Sequence, residues 1–310
     1  DQYWETGKPY LDAVVTTNIA DETAQISGLQ SGQLDCVNYL SAASIATLQG
    51  SSDVSLIISE GGGWGPFTMS TDMAPFDDVK VRQAIAEALD NAAALSAYPP
   101  EFYEPSKGAW IHKSFEYSAY DETNAVYTGD LDKAKQMLQA SSKPDGFEVE
   151  WIANAERPQE LSAVLGAQER LAKIGIKVNI KQLPDADVAA ATYARPRAFE
   201  MITYNWLHNQ PNALDPMAAL LTSAALDVSN FPGYQNPEYD QLVADASVAT
   251  DPSVIGEKLK RLQQIQIQDV PLLVHGWDGI RRVESNKLKT PNQTVLAEWD
   301  DWFRVTQFTS

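Results

Sequence analysis

APFDDVKVRQAIAEALD, residues 74–90, reads as a capped amphipathic helix. The carboxylate of Asp78 can accept from the unpaired N–H groups of a first turn, and Val81, Ala84, Ile85, Ala88 and Leu89 recur at helical spacing on one face. Such a stripe must be buried against other elements, so the flanking segments determine the architecture.

Upstream, β-branched residues dominate LDAVVTTNI (residues 11–19), which predicts a strand. Asp21 then caps a short helix ending at Gly32, Cys36 to Leu40 is a strand, Ser41 caps a second short helix through Leu48, and Val54 to Ile58 is a strand. This β-α-β-α-β alternation predicts a mixed or parallel sheet. Pro66 to Ser70 is expected to be extended. Downstream, residues 97–128 (YPPEFYEP, then GAWIHKSFEYSAY) hold no sustained period and read as a crossing between lobes. A second α/β block follows. It comprises a helix from Asp130 or Asp132 to Ala140, a strand Phe147 to Ala153, a helix from Pro158 stopped by Gly175, a strand Ile176 to Ile180, a helix Asp187 to Tyr193 and a strand Phe199 to Leu207. Asn236-Pro237 and Asp251-Pro252 each open a further helix, Pro271 ends the second, and Leu272 to His275 is strand-like. The aromatic run Trp299, Trp302 and Phe303 comes late in the chain.

Composition narrows the function. The 310 residues carry 23 Lys+Arg against 42 Asp+Glu, a formal net charge of −19, which excludes a non-specific nucleic-acid binder. A hydrophobic content of 44% with 21% charged residues predicts a folded core, and a prior of about 150 residues per domain predicts two lobes. No apolar run approaches the roughly 20 residues of a membrane-spanning helix. Cys36 is the only cysteine and reads as a buried thiol. His112, His208 and His275 have no metal-binding spacing, so no protein-only metal site and no cofactor are expected. GGGWGPF (Gly61 to Phe67) lacks the lysine of a phosphate loop, no G-x-S-x-G elbow occurs, and adjacent acids such as Asp77 and Asp78 read as caps or turns. No enzyme is expected.

Six stretches in order carry a resemblance over essentially the whole chain. They are DQYWETGKPYLDAVV (residues 1–15), AQISGLQSGQLD (24–35), APFDDVKVRQAIAEALD, LAKIGIKVNI (171–180), GYQNPEYDQL (233–242) and IQIQDVPLLV (265–274). Together they resemble the substrate-binding proteins of bacterial ABC importers for dipeptides, oligopeptides, nickel complexes and some oligosaccharides, family 5. The resemblance implies an α/β, two-lobed periplasmic-binding-protein fold of type II, with residues 1–98 plus 272–310 in lobe I and 99–271 in lobe II. Members are usually longer, and the opening motif normally lies well inside them. The chain is therefore expected to be the carboxy-terminal portion of a larger receptor, with its first lobe incomplete. Also implied are a monomer at the periplasm or outer cell face, lipid-anchored or free, and delivery of a small-molecule ligand from an interlobe cleft to a membrane ABC permease without chemical change.

In peptide-binding members a strand ends in a Trp, and an Asp three residues later pairs with the peptide's α-ammonium. Here Asn205-Trp206-Leu207-His208-Asn209 stands at that place, with Asp215-Pro216 following. Trp206 matches, but Asn209 replaces the acid. A neutral amide supplies no charge to offset the desolvation of an ammonium ion, a cost of several kcal/mol. Asn205, Trp206, His208 and Asn209 are accordingly expected to hold a neutral or polyhydroxylated solute or oligosaccharide. Asp215 would restore a peptide-binding reading by moving in, and a peptide or metal-chelate receptor is the alternative. Trp64, among four glycines, and Trp277 are further candidates for stacking on a ligand, whereas Arg82 reads as structural. Two rivals from other classes are a glycoside hydrolase and a sensor domain that passes ligand occupancy to a signalling partner.

Overall fold

The computed structural model describes residues 6–8, 10–19, 21–38, 40–89, 102–106, 112, 127–204, 206–207, 213–289 and 307–308. In chain order its elements are α1 (Glu22–Ser31), β1 (Cys36–Asn38), α2 (Ala42–Leu48), β2 (Val54–Trp64), β3 (Pro66–Met69), α3 (Val79–Ala88), β4 (Tyr103–Pro105), α4 (Leu131–Gln139), β5 (Phe147–Asn154), α5 (Pro158–Lys173) and β6 (Ile176–Leu183). There follow α6 (Asp185–Tyr193), β7 (Met201–Thr203), β8 (Trp206–Leu207), α7 (Leu214–Leu221), α8 (Pro237–Val248), α9 (Pro252–Asp269), β9 (Leu272–Val274), β10 (Gly276–Ser285), β11 (Leu288–Lys289) and β12 (Gln307–Phe308). The chain divides into two units, Asp1–Gly62 with Asp278–Ser310, and Gly63–Trp277. The divisions fall within β2 and β10. Residues 66–89 group with the second unit because β3 pairs with both β7 and β9 and α3 packs on α4 and α5.

In the first unit, Asp21 Oδ1 accepts from the Ala24 amide at 2.7 Å and Gly32, at φ 75°, closes α1. The Glu22 carboxylate accepts from the Ser41 amide at 3.1 Å and the Ser41 hydroxyl at 2.7 Å, tying α1 to the start of α2. Leu29, Val37, Leu40, Ile45, Leu48 and Val283 are buried. β1 pairs antiparallel with β10, Cys36 opposite Glu284 and Asn38 opposite Arg282, and β10 lies between β1 and β2 in the sheet order. β1 and β2, consecutive in sequence, are not neighbours in this sheet but flank β10. The neighbour of β1 comes from far along the chain, which local alternation does not encode. Residues 11–19 form no strand, and Val14 and Val15 are exposed, Val15 at 86%. A run with strand propensity becomes a strand only where another backbone meets its N–H and C=O groups.

The second unit is built on a five-stranded sheet in the order β6-β5-β7-β3-β9. β5 runs parallel to β6 and to β7, while β3 is antiparallel to β7 and β9. The anticipated stripe of α3 is enclosed, with Val81, Ala84, Ile85 and Ala88 all at 0% exposure. Phe67 on β3 meets the Trp151 ring edge-on at 4.7 Å. The Trp151 indole donates to Thr203 Oγ1 at 2.9 Å, so its buried N–H is satisfied. Buried Glu87 accepts from the Thr128 amide and hydroxyl, the Asp130 amide and Lys133 Nζ, anchoring the start of α4 to α3. Asp78, Asp130, Asn236 and Asp251 cap their helices as expected. Helix α7 had no sequence expectation. Pro216 lies in its first turn, where a missing N–H costs nothing. Most of the expected crossing at 97–128 and the run Trp299 to Phe303 lie outside the described residues.

Candidate functional site

The site builds outward from β8 in the second unit. Trp206 faces Trp64 in antiparallel register, and Leu207 faces Gly63. The glycine-rich run around Trp64 is therefore strand, the end of β2, rather than a loop. Trp206 is partly exposed, yet its indole Nε1 is enclosed and has no hydrogen-bond partner among the described residues. An indole nitrogen can only donate, so this N–H is left without an acceptor oxygen among the described residues.

Two residues earlier, between β7 and β8, stands buried Tyr204. Both rings converge on Phe231, Tyr204 at 4.9 Å and 78° and Trp206 at 6.1 Å and 67°. Tyr193, at the end of α6, meets Phe231 from another direction at 5.0 Å and 84°. Burial pushes the Tyr204 phenol well above its usual range, so it stays a neutral hydroxyl. The result is an aromatic shelf on which the Trp206 ring carries a donor unanswered among the described residues.

The other anticipated residues fare differently. Asp215 lies in the first turn of α7, partly buried, and that burial holds its carboxyl above the usual carboxylate range. Trp277 is 1% exposed, its ring edge-on to His112 at 5.1 Å, so it offers no open face. Asn205, His208 and Asn209 lie outside the described residues. His275 is enclosed and stacks on Phe67 at 4.4 Å and 20°. Desolvation pushes its imidazole down to about 4, so it is neutral at physiological pH. Among the described residues no group of three His, Cys, Asp or Glu side chains gathers as a metal would require, and no helix is long and apolar enough to cross a membrane.

Residues 1–227 match the family model of bacterial extracellular solute-binding proteins, family 5, middle part. The chain belongs to that family. Among curated relatives of this family 5 protein, heme-binding protein A of Haemophilus influenzae is 28% identical over 273 residues, 86% of this chain and 48% of the relative. Glutathione-binding protein GsiB of Escherichia coli K12 is 23% identical over 274 residues, 87% of this chain and 53% of the relative. The family 5 chain thus spans about half the length of the curated relatives it matches. Among solved structures, the binding protein AgaA of A. tumefaciens R10 in complex with agropinic acid superposes with a TM-score of 0.80 at 22% identity, covering 99% of this chain and 63% of that one. DppA of Helicobacter pylori, in complex with the peptide STSA, gives 0.81 at 20% identity, covering 99% and 59%. The fold is that of the type II periplasmic binding proteins.

Phe231, Tyr204 and Tyr193 were not among the anticipated residues. Tyr204 and Trp206 stood two apart in the strand expected over Phe199 to Leu207, which the structure divides into β7 and β8 of different sheets. Phe231 carried no such signal, because its loop reaches the shelf only through tertiary packing.

Proposed function

We propose that this family 5 chain is the ligand-holding part of an extracytoplasmic receptor that captures a peptide or peptide-like solute and hands it unchanged to an ABC permease in the membrane. The observation that carries this reading is the partly exposed Trp206 indole on an aromatic shelf, with its N–H enclosed and unpartnered among the described residues. A peptide unit suits both features at once. Its amide plane stacks on an indole face, and its carbonyl accepts the N–H. Relatives named for heme and glutathione, and a structural neighbour holding a peptide, favour this over a polyhydroxylated solute. The oligosaccharide expected from Asn209 draws no such support.

If the bound peptide carries a free amino terminus, Asn209 offers it no charge, and Asp215 is the nearby carboxylate in sequence that could. Trp64 is the proposed stacking partner from β2, and His208 and Asn209 the proposed polar contacts. Residence in the periplasm follows from the same reading. Isothermal titration of the receptor with glutathione, the tetrapeptide Ser-Thr-Ser-Ala and a panel of oligosaccharides tests it. Micromolar binding of a peptide with no heat from the sugars supports the proposal, and binding of sugars alone overturns it.

A further inference from the structure

Phe231 sits at the convergence of three rings and is 1% exposed. The loop carrying it is pinned on every side. Arg195 donates to the Leu226 carbonyl at 3.2 Å and the Val228 carbonyl at 3.4 Å, and its guanidinium lies 6.0 Å from the Phe231 ring centre. Arg197 Nε donates to the Phe231 carbonyl at 2.7 Å, while its NH1 pairs with Asp72 at 3.0 Å. The Asn230 side chain donates to the Thr222 and Tyr234 carbonyls at 2.9 and 2.7 Å and accepts from the Tyr234 amide at 3.0 Å. Thr71 donates its amide and hydroxyl to the Pro232 carbonyl at 2.8 and 3.1 Å.

These bonds converge on one short loop. Their shared effect is to place the Phe231 ring, with little freedom, where Trp206 and Tyr204 pack against it. Trp206 itself stands on a two-residue strand and is only partly covered, so local backbone structure constrains its side chain weakly.

We propose that Phe231 is a positioning residue: the pinned 225–233 loop uses its ring as a stop that holds the Trp206 indole in one orientation, so that the N–H and one ring face are presented to the solute together. This rests on the reading of Trp206 as a ligand contact, and it assigns to this loop, outside every anticipated site residue, control over how tightly a planar ligand group is held. The physical gain is preorganisation. A flexible indole must be ordered when ligand binds, whereas one already held loses no further freedom.

The test is fluorine NMR of the full chain labelled with 5-fluorotryptophan, with the Trp206 line identified by its loss in Trp206→Phe. Phe231→Leu is expected to shift and broaden the Trp206 line while leaving the lines of buried Trp151 and Trp277 in place, and Phe231→Tyr is expected to keep it narrow. Tyr193 is 59% exposed and supports Phe231 without touching Trp206 among the ring contacts, so Tyr193→Leu provides a second variant that spares the fold and should broaden the line more weakly. With Ser-Thr-Ser-Ala and glutathione as probes, Phe231→Leu should weaken whichever binds about tenfold, chiefly through faster release, and Phe231→Tyr should stay within about threefold. A Trp206 line unchanged in both Phe231→Leu and Tyr193→Leu overturns the proposal. A line that responds to Phe231 while Trp206→Phe leaves probe binding intact shows instead that the ligand reading of Trp206 has failed and the positioning contact stands.

Discussion

Arg82 holds Val270. From the middle of α3, its Nε donates to the main-chain carbonyls of Asp269 and Val270 at 2.8 and 3.1 Å, and its NH1 donates to the Phe76 carbonyl at 2.6 Å. Val270 ends α9 in the left-handed region at φ 48°, which a β-branched residue rarely adopts. The arginine of the 74–90 stretch therefore stitches the turn before α3 to the end of α9, within one unit and away from Trp206.

Because Arg82 is only 6% exposed, its three acceptors cannot turn to water when it is replaced. Arg82→Lys keeps the charge but cannot span carbonyls in three directions, and a loss of about 2–4 kcal/mol is expected. Urea unfolding of the variant measures this, and an unchanged midpoint would show the three bonds to be dispensable.

Gly146 and Gly175 stand one residue before the paired starts of β5 and β6. Gly146 has φ 84°, and a Cβ there would lie 2.0 Å from the Gly175 carbonyl oxygen, a backbone atom that cannot swing aside. Gly146→Ala should cost more than about 2 kcal/mol. Gly166, inside α5 with nothing within 4 Å of an added Cβ, should behave oppositely, Gly166→Ala adding about 0.5–1 kcal/mol. Thermal melts of the two variants should move in opposite directions.

Glu160, in the first turn of α5, is 7% exposed, and burial pushes its carboxyl up to about 7, against an opposing pull from Arg157 and with a further push from Asp185. Between pH about 4.5 and about 7 the folded protein holds a proton that the unfolded chain has released, so this group's contribution to stability falls as pH rises through that window. Glu160→Gln removes the penalty. Relative to the unsubstituted protein, the variant should gain on the order of a few kcal/mol at pH 8 and little at pH 5. Equal differences in urea midpoint at the two pH values would refute this account.

Trp206→Phe keeps a smaller stacking ring and deletes the enclosed donor. Affinity for a bound peptide should drop about tenfold, the worth of one neutral hydrogen bond. Titration calorimetry of the variant reads the loss directly, and an affinity equal to that of the parent would place the acceptor oxygen elsewhere.

Much of the second unit was legible locally. Asp78, Asp130, Asn236 and Asp251 announced their helices because capping is a contact between neighbours in sequence, and the α3 stripe announced its buried face through period alone. The aromatic shelf was half legible: Trp206 stood out by motif, while Phe231, 25 positions further along, did not.

Caps, stops, stripes and the six ordered motifs are properties of short windows, and from them follow the helices, the α/β class and the family. Tertiary packing alone settled that β1 pairs with β10, that residues 11–19 find no strand partner among the described residues, that Arg82 spans three carbonyls, and that Phe231 lies under Trp206. Each of these joins groups with little or no covalent proximity, and their energies exist only once the intervening chain has been folded into place.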